Sequence, residues 1–254
     1  MKLTFVAMVL LLAGCGGSQL PVVAGTARPN VPSAVLVPPC TQCAGTVFVG
    51  DSIFGRLVAD TTFTNAGYIN AGVFGERTDE MLARFPEIIS GQNVCHGYNP
   101  PTGLPTDPDF PYICSSLSEP PQTVVIMGGW NNFFQNNPGN TALSDIQQMA
   151  HLAEKHGIKV IVCTLYAYDP GHPAPWMVPS GTAPVTFYDV WRNPLNVGIL
   201  SLDNSSLDGP FSMGDVSVVE LSSVFAGESF YTIDGVHPTD AGNTQMMNAI
   251  MPHI

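Results

Sequence analysis

Charge is scarce in this chain, and positive charge scarcer still. Of 254 residues 11% are charged, with 8 Lys and Arg against 20 Asp and Glu, giving a formal net charge of -12. A nucleic-acid backbone is held by clustered Lys and Arg, so this composition excludes nucleic acid as a partner and disfavours a polyanionic substrate. Cys and His never cluster at zinc-ligand spacing, so neither a metal nor another cofactor is expected. No internal repeat is visible. Apolar residues are plentiful at 45%, which excludes a disordered chain and leaves room for one sizeable core.

The apolar run Leu3–Leu12 after Met1-Lys2 is too short to span a bilayer and reads as a secretory signal. It ends in Leu12-Ala13-Gly14-Cys15, which resembles a bacterial lipobox. That resemblance implies cleavage before Cys15, lipidation of Cys15, and export to the cell envelope on a lipid anchor. Gly16-Gly17-Ser18 follow, with no Asp, which favours the outer membrane. Residues 1–14 are therefore assigned to the signal, 15–44 to the lipidated Cys and a Pro-, Gly- and Ser-rich tether, and 45–254 to the folded domain.

Six cysteines in an exported chain point to disulfides. Cys95 and Cys114 flank a Pro-rich segment and are the expected bridge. Cys40-Thr41-Gln42-Cys43 precedes a strand, whereas a redox pair follows one, so a local structural bridge is the better reading. Cys163 sits in the apolar run Val160–Cys163 and reads as a buried thiol.

From Gly45 onward, apolar strand-like runs alternate with helical patterns, the signature of a mostly parallel sheet covered by helices. Strands are expected at 46–50, 68–73, 123–127, 159–165 and 216–221, and helices after Ser52, at 76–89, 141–156 and 239–250. Residues 92–121 and 169–184 read as insertions. The second leaves the carboxyl end of a strand and is the better candidate for a rim or lid.

Four segments carry chemistry: Gly50-Asp51-Ser52-Ile53, Asn70-Ala71-Gly72-Val73-Phe74-Gly75, Gly129-Trp130-Asn131-Asn132 and Asp234-Gly-Val-His237-Pro238. A serine becomes a nucleophile when a base takes its proton and a third group orients that base. Ser52 at a strand end, with Asp234 three residues before His237, supplies all three. In that order, each at a strand end or turn, the four segments resemble the SGNH hydrolases, also called the GDSL family, over residues 46–242. The resemblance implies a three-layer α/β/α sandwich (SGNH/flavodoxin-like), a catalytic Ser52, Asp234 and His237, and an oxyanion hole of Ser52, Gly75 and Asn131. It implies a serine esterase acting on carboxylic esters, with short acyl groups such as acetyl, on a glycan or a small lipid-like ester, as the substrate class. The alternative is a non-catalytic glycan-binding lipoprotein that keeps the fold.

Rivals stand beside several of these residues. Gly72 competes with Gly75 as a backbone donor, Asp51 reads as a partner of nearby backbone N–H groups, and Asn131 can be a turn residue. Asp169-Pro-Gly-His172 is a second Asp-x-x-His after a strand. His151 and His156 fall within a helical pattern, and His96 and His253 carry no motif. The strained Gly-x-Ser-x-Gly elbow is absent around Ser52. Ile53 replaces the usual Leu, and Asn132 stands where an Asp is common, which is expected to alter supporting hydrogen bonds and not the chemistry.

Overall fold

The computed structural model describes residues 35–37, 45–99, 107–135, 140–167, 184–203, 216–225 and 234–254. The signal, Cys15, the Cys40/Cys43 pair, nearly all of the 169–184 insertion and the rival His172 lie outside the described residues.

Five strands form one parallel sheet: β2 (Thr46–Gly50), β3 (Ile69–Gly72), β6 (Thr123–Met127), β7 (Lys159–Cys163) and β8 (Val216–Val219). Their order is β3-β2-β6-β7-β8. The first strand of this sheet thus has the second on one side and the third on the other, the flavodoxin-like winding in which ligands sit where the order reverses. That reversal lies between β2 and β6, whose registers pair Gly50 with Met127. The strands read as unbroken apolar runs because both faces are covered: Val47, Phe48, Val49, Val124, Val125, Ile126, Val160, Ile161 and Val162 are all fully buried.

Helices lie on both sides of the sheet, which makes the three-layer sandwich. On one side α3 (Thr78–Ile89) packs on α5 (Asn140–Lys155), and α5 on α6 (Pro184–Leu200). Met81, Phe85, Ile88 and Ile89 form the buried stripe of α3, and Ile146, Met149, Ala150 and Ala153 that of α5. Elsewhere α2 (Thr61–Asn65) meets α7 (Asp240–Ile250), and the Thr244 hydroxyl donates to Asp60 Oδ2 across that contact.

Two expectations need correction. Residues 92–121 are more than loop: β4 (Val94–His96) and β5 (Ile113–Ser115) pair antiparallel, with Cys95 opposite Cys114 and disulfide-bonded to it. A short strand β1 (Val35–Val37) runs parallel to β5. Helix α6 had no counterpart in the sequence reading, because Pro184, Pro194 and Gly198 hide its spacing. Pro184 in fact opens it, as Pro can at a first helical position. Leu195, Asn196, Ile199 and Leu202 face inward, and the Asn196 amide bonds both the N–H and the C=O of Leu165, at 2.8 and 2.7 Å, just beyond the end of β7. Cys163 is free and buried, and burial pushes its thiol well above the usual range.

Candidate active site

The chain leaves β2 at Gly50 and turns at Asp51 into α1 (Ser52–Gly55). Asp51 caps that turn: its Oδ1 accepts the Ile53 N–H at 2.9 Å. Ser52 is thereby fixed as the first helical residue at the carboxyl end of a central strand. α1 is only four residues long before a 3₁₀ turn, Arg56–Ala59, takes over. Any helix dipole behind Ser52 is therefore small, and the local backbone N–H is what the turn presents.

At the other end of the chain, Asp234 to Thr239 forms a tight turn before α7. Asp234 Oδ1 accepts the Val236 and His237 N–H groups at 3.1 and 2.8 Å, and Oδ2 lies 2.7 Å from His237 Nδ1. An ionised carboxylate only accepts, so Nδ1 carries the proton and Nε2 is left with its lone pair. That Nε2 stands 2.7 Å from Ser52 Oγ. Desolvation of the half-buried Asp234 would raise its pKa, but hydrogen bonds from the His237 ring and backbone win, and it is held at about 2. Two anchors steady the turn. Thr239 Oγ1 accepts the Gly242 N–H at 3.2 Å to cap α7, and the fully buried Tyr166 hydroxyl donates to the Val236 carbonyl.

The two candidate glycines have different surroundings. The Gly72 N–H donates to Asn70 Oδ1 at 2.8 Å, and a Cβ at Gly72 would sit 2.2 Å from the Gly55 nitrogen. Gly72 serves the close approach of β3 to α1. Gly75 has a φ of +76° and open space where a Cβ would be. Its N–H meets no acceptor among the described residues. Asn131, on α4 (Trp130–Phe134), donates one amide N–H to the Glu76 carbonyl at 3.0 Å and lines the cleft beside Ser52 and His237. Its amide carries a second N–H.

Asn132 is fully buried and uses both ends of its amide on Thr78, accepting the backbone N–H at 3.0 Å and donating to Oγ1 at 2.9 Å. Thr78 Oγ1 in turn donates to the buried Asp145 at 2.7 Å. The Asn132 amide thus joins α4 to α3, and Thr78 carries the contact on to Asp145 of α5.

The cleft holds about 240 Å³, with Ile53, Trp130, Phe134 and Val236 as apolar wall and Ser52, Asn131, Gln135 and His237 as polar groups. His96, His151, His156 and His253 do not line it. Sequence reasoning missed Gln135 and Tyr166. Gln135 was findable, being four residues after Asn131 and so on the same helical face. Tyr166 carried no local signal, since its partner is 70 residues away.

No protein-family model matches the chain, and neither does any curated protein. Solved structures do. A GDSL-like lipase from Bacteroides thetaiotaomicron aligns at 24% identity and a TM-score of 0.54, over 82% of this chain and 85% of its own. A Bacteroides fragilis structure assigned as an acylhydrolase aligns at 24% identity and 0.56, over 86% and 89%. An acetyl xylan esterase, AlAXEase, aligns at 16% and 0.50, over 82% and 98%. At these identities the likeness carries the fold.

Asp51 supplies a test of the site's electrostatics. Burial raises its pKa to about 6 despite the Ile53 N–H and the nearby His237, and its Oδ2 has no hydrogen-bond partner among the described residues. The folded chain therefore holds this proton more tightly than the unfolded one. That stability is fully present below about pH 4 and lost as pH rises through about 6. Asp51→Asn keeps the capping oxygen and removes the charge. Its stability relative to wild type is expected to improve by about 3 kcal/mol between pH 4 and pH 8, read from urea unfolding. A pH-independent difference would show that Asp51 does not titrate as described.

Proposed function

We propose that this chain is a serine esterase that hydrolyses carboxylic esters through an acyl-Ser52 intermediate. The observation that carries the reading is the unbroken line from Ser52 Oγ through His237 to Asp234, with both contacts at 2.7 Å. His237 Nε2 takes the hydroxyl proton as Oγ bonds to the substrate carbonyl carbon, and Asp234 steadies the resulting imidazolium. The oxyanion is met by the N–H groups of Ser52 and Gly75 and by the second amide N–H of Asn131. Collapse breaks the ester C–O bond, and the leaving alcohol takes the proton from His237. Water then repeats the sequence on the acyl-serine, regenerating Ser52 and releasing the acid.

A cleft of about 240 Å³ walled by Ile53, Trp130, Phe134 and Val236 suits a short acyl group such as acetyl. Low positive charge favours a neutral alcohol portion, a glycan or a small lipid-like ester. Likeness in fold to an acetyl xylan esterase supports the glycan version. A binding module that merely kept the fold would have no use for an aligned Ser, His and Asp. The lipobox-like Cys15, with the run Leu3–Leu12 before it, supports an exported, membrane-anchored setting for this activity.

Two experiments test these readings. With p-nitrophenyl esters, wild type is expected to hydrolyse acetate and butyrate faster than octanoate, and Ser52→Ala to lose activity by about a thousandfold or more. Equal rates in the two proteins would remove the enzyme reading. In an expressing bacterium, radioactive palmitate should label the wild type and leave Cys15→Ala unlabelled. Equal labelling of the two would place the lipid elsewhere.

A further inference from the structure

Gly75 poses a mechanical problem. It is exposed, has no side chain, lies at positive φ and has open space where a Cβ would be, so no side chain of its own fixes the direction of its N–H. The Glu76 N–H closes a turn onto the Val73 carbonyl at 3.3 Å, and the two peptides that follow Gly75 are held from α4 and Gln135 at its end. Gln135 Nε2 donates to the Gly75 carbonyl at 2.7 Å, and Asn131 Nδ2 to the Glu76 carbonyl at 3.0 Å. Asn131 and Gln135 are one helical turn apart, so one helix face grips two successive carbonyls. Gln135 is itself oriented. Its Oε1 accepts from Arg77 Nη1 at 2.9 Å, and Arg77 is locked by a bidentate contact with Asp79 at 2.9 and 2.8 Å. The Arg77 contact also settles which end of the Gln135 amide faces Gly75, because a guanidinium can only donate.

We propose that Gln135, braced by Arg77 and Asp79, is a positioning residue that aims the Gly75 N–H at the oxyanion. The inference rests on the esterase reading above and extends it to a residue outside the four motif segments. A clamp of this kind makes an exposed and individually weak hydrogen bond, so it adds little to folding. It matters to rate because displacing a reacting contact by about 1 Å can cost on the order of a hundredfold. Gln135 also lines the cleft, so its release would loosen the Gly75 loop beside the reacting centre.

The test compares wild type with Gln135→Leu, which removes the clamp, and Gln135→Glu, which keeps an acceptor for Arg77 but loses the donor to Gly75. Both are expected to lower kcat on p-nitrophenyl acetate about 10- to 100-fold, with KM within about twofold and the melting temperature unchanged. Affinity for a boronic acid, which forms a tetrahedral adduct on a catalytic serine, should fall by the same factor as kcat/KM. Wild-type kcat and boronate affinity in both variants would overturn the proposal, as would losses that track a lowered melting temperature. Wild-type hydrolysis that survives Ser52→Ala would instead overturn the underlying esterase reading, and this inference with it. Ser52-dependent hydrolysis with unaffected Gln135 variants would sink this inference alone.

Discussion

An imidazole ring must sit within hydrogen-bond reach of a hydroxyl and a carboxylate that come from opposite ends of the chain. Ser52 and His237 are 185 residues apart, and the contact between them leaves little slack at 2.7 Å. No local preference can set such a distance. It follows from a rigid parallel sheet that fixes the end of β2, and from a short turn that fixes His237 relative to α7. The turn is over-determined: Asp234 accepts two backbone N–H groups as well as the ring, Tyr166 holds the Val236 carbonyl from below, and Thr239 caps the helix that follows. A histidine proposed as a general base is useful only when its ring cannot turn away, and this redundancy supplies that restraint.

The electrostatics of the site divide two carboxylates by environment. Asp234 is half-buried but rich in donors and stays ionised. Asp51 is fully buried, has among the described residues one donor to its Oδ1 and none to Oδ2, and resists ionisation. Burial dominates where donors are few and loses where they are many. The same logic separates the two glycines: Gly72 has spent its N–H on Asn70, while the Gly75 N–H meets no acceptor among the described residues. Chemistry collects at the groups the fold leaves unsatisfied.

Much of this was legible in the amino-acid order. The strand Thr123–Met127 and the helix opening near Thr239 follow directly from an unbroken apolar run and a Thr cap. The Ser52, Asp234 and His237 motifs pointed to one site because their side-chain chemistry is complementary and they sit at strand ends or turns. What escaped has physical reasons. Helix α6 was masked by Pro184 and Pro194, residues that break helices in their interior but are tolerated where no donor is needed or where tertiary contacts outweigh the loss. The 92–121 insertion has strands of three residues, too short for periodicity to register, and their pairing is fixed by the Cys95–Cys114 link and by β1 from far upstream. Tyr166 and Arg77 act only through contacts that the fold creates. The rival pair around His172 lies outside the described residues, so the case for His237 rests on its own geometry.

The central claim is that Ser52 is a nucleophile because His237 activates it. The most direct measurement is covalent labelling with a fluorophosphonate followed by peptide mass spectrometry, in wild type and in His237→Ala. The account predicts a single phosphonylated peptide carrying Ser52 in the wild type, and labelling at least a hundredfold slower in the variant, on the order of the loss expected when a general base is removed. Modification at another residue, or labelling of Ser52 at the same rate without His237, would contradict it.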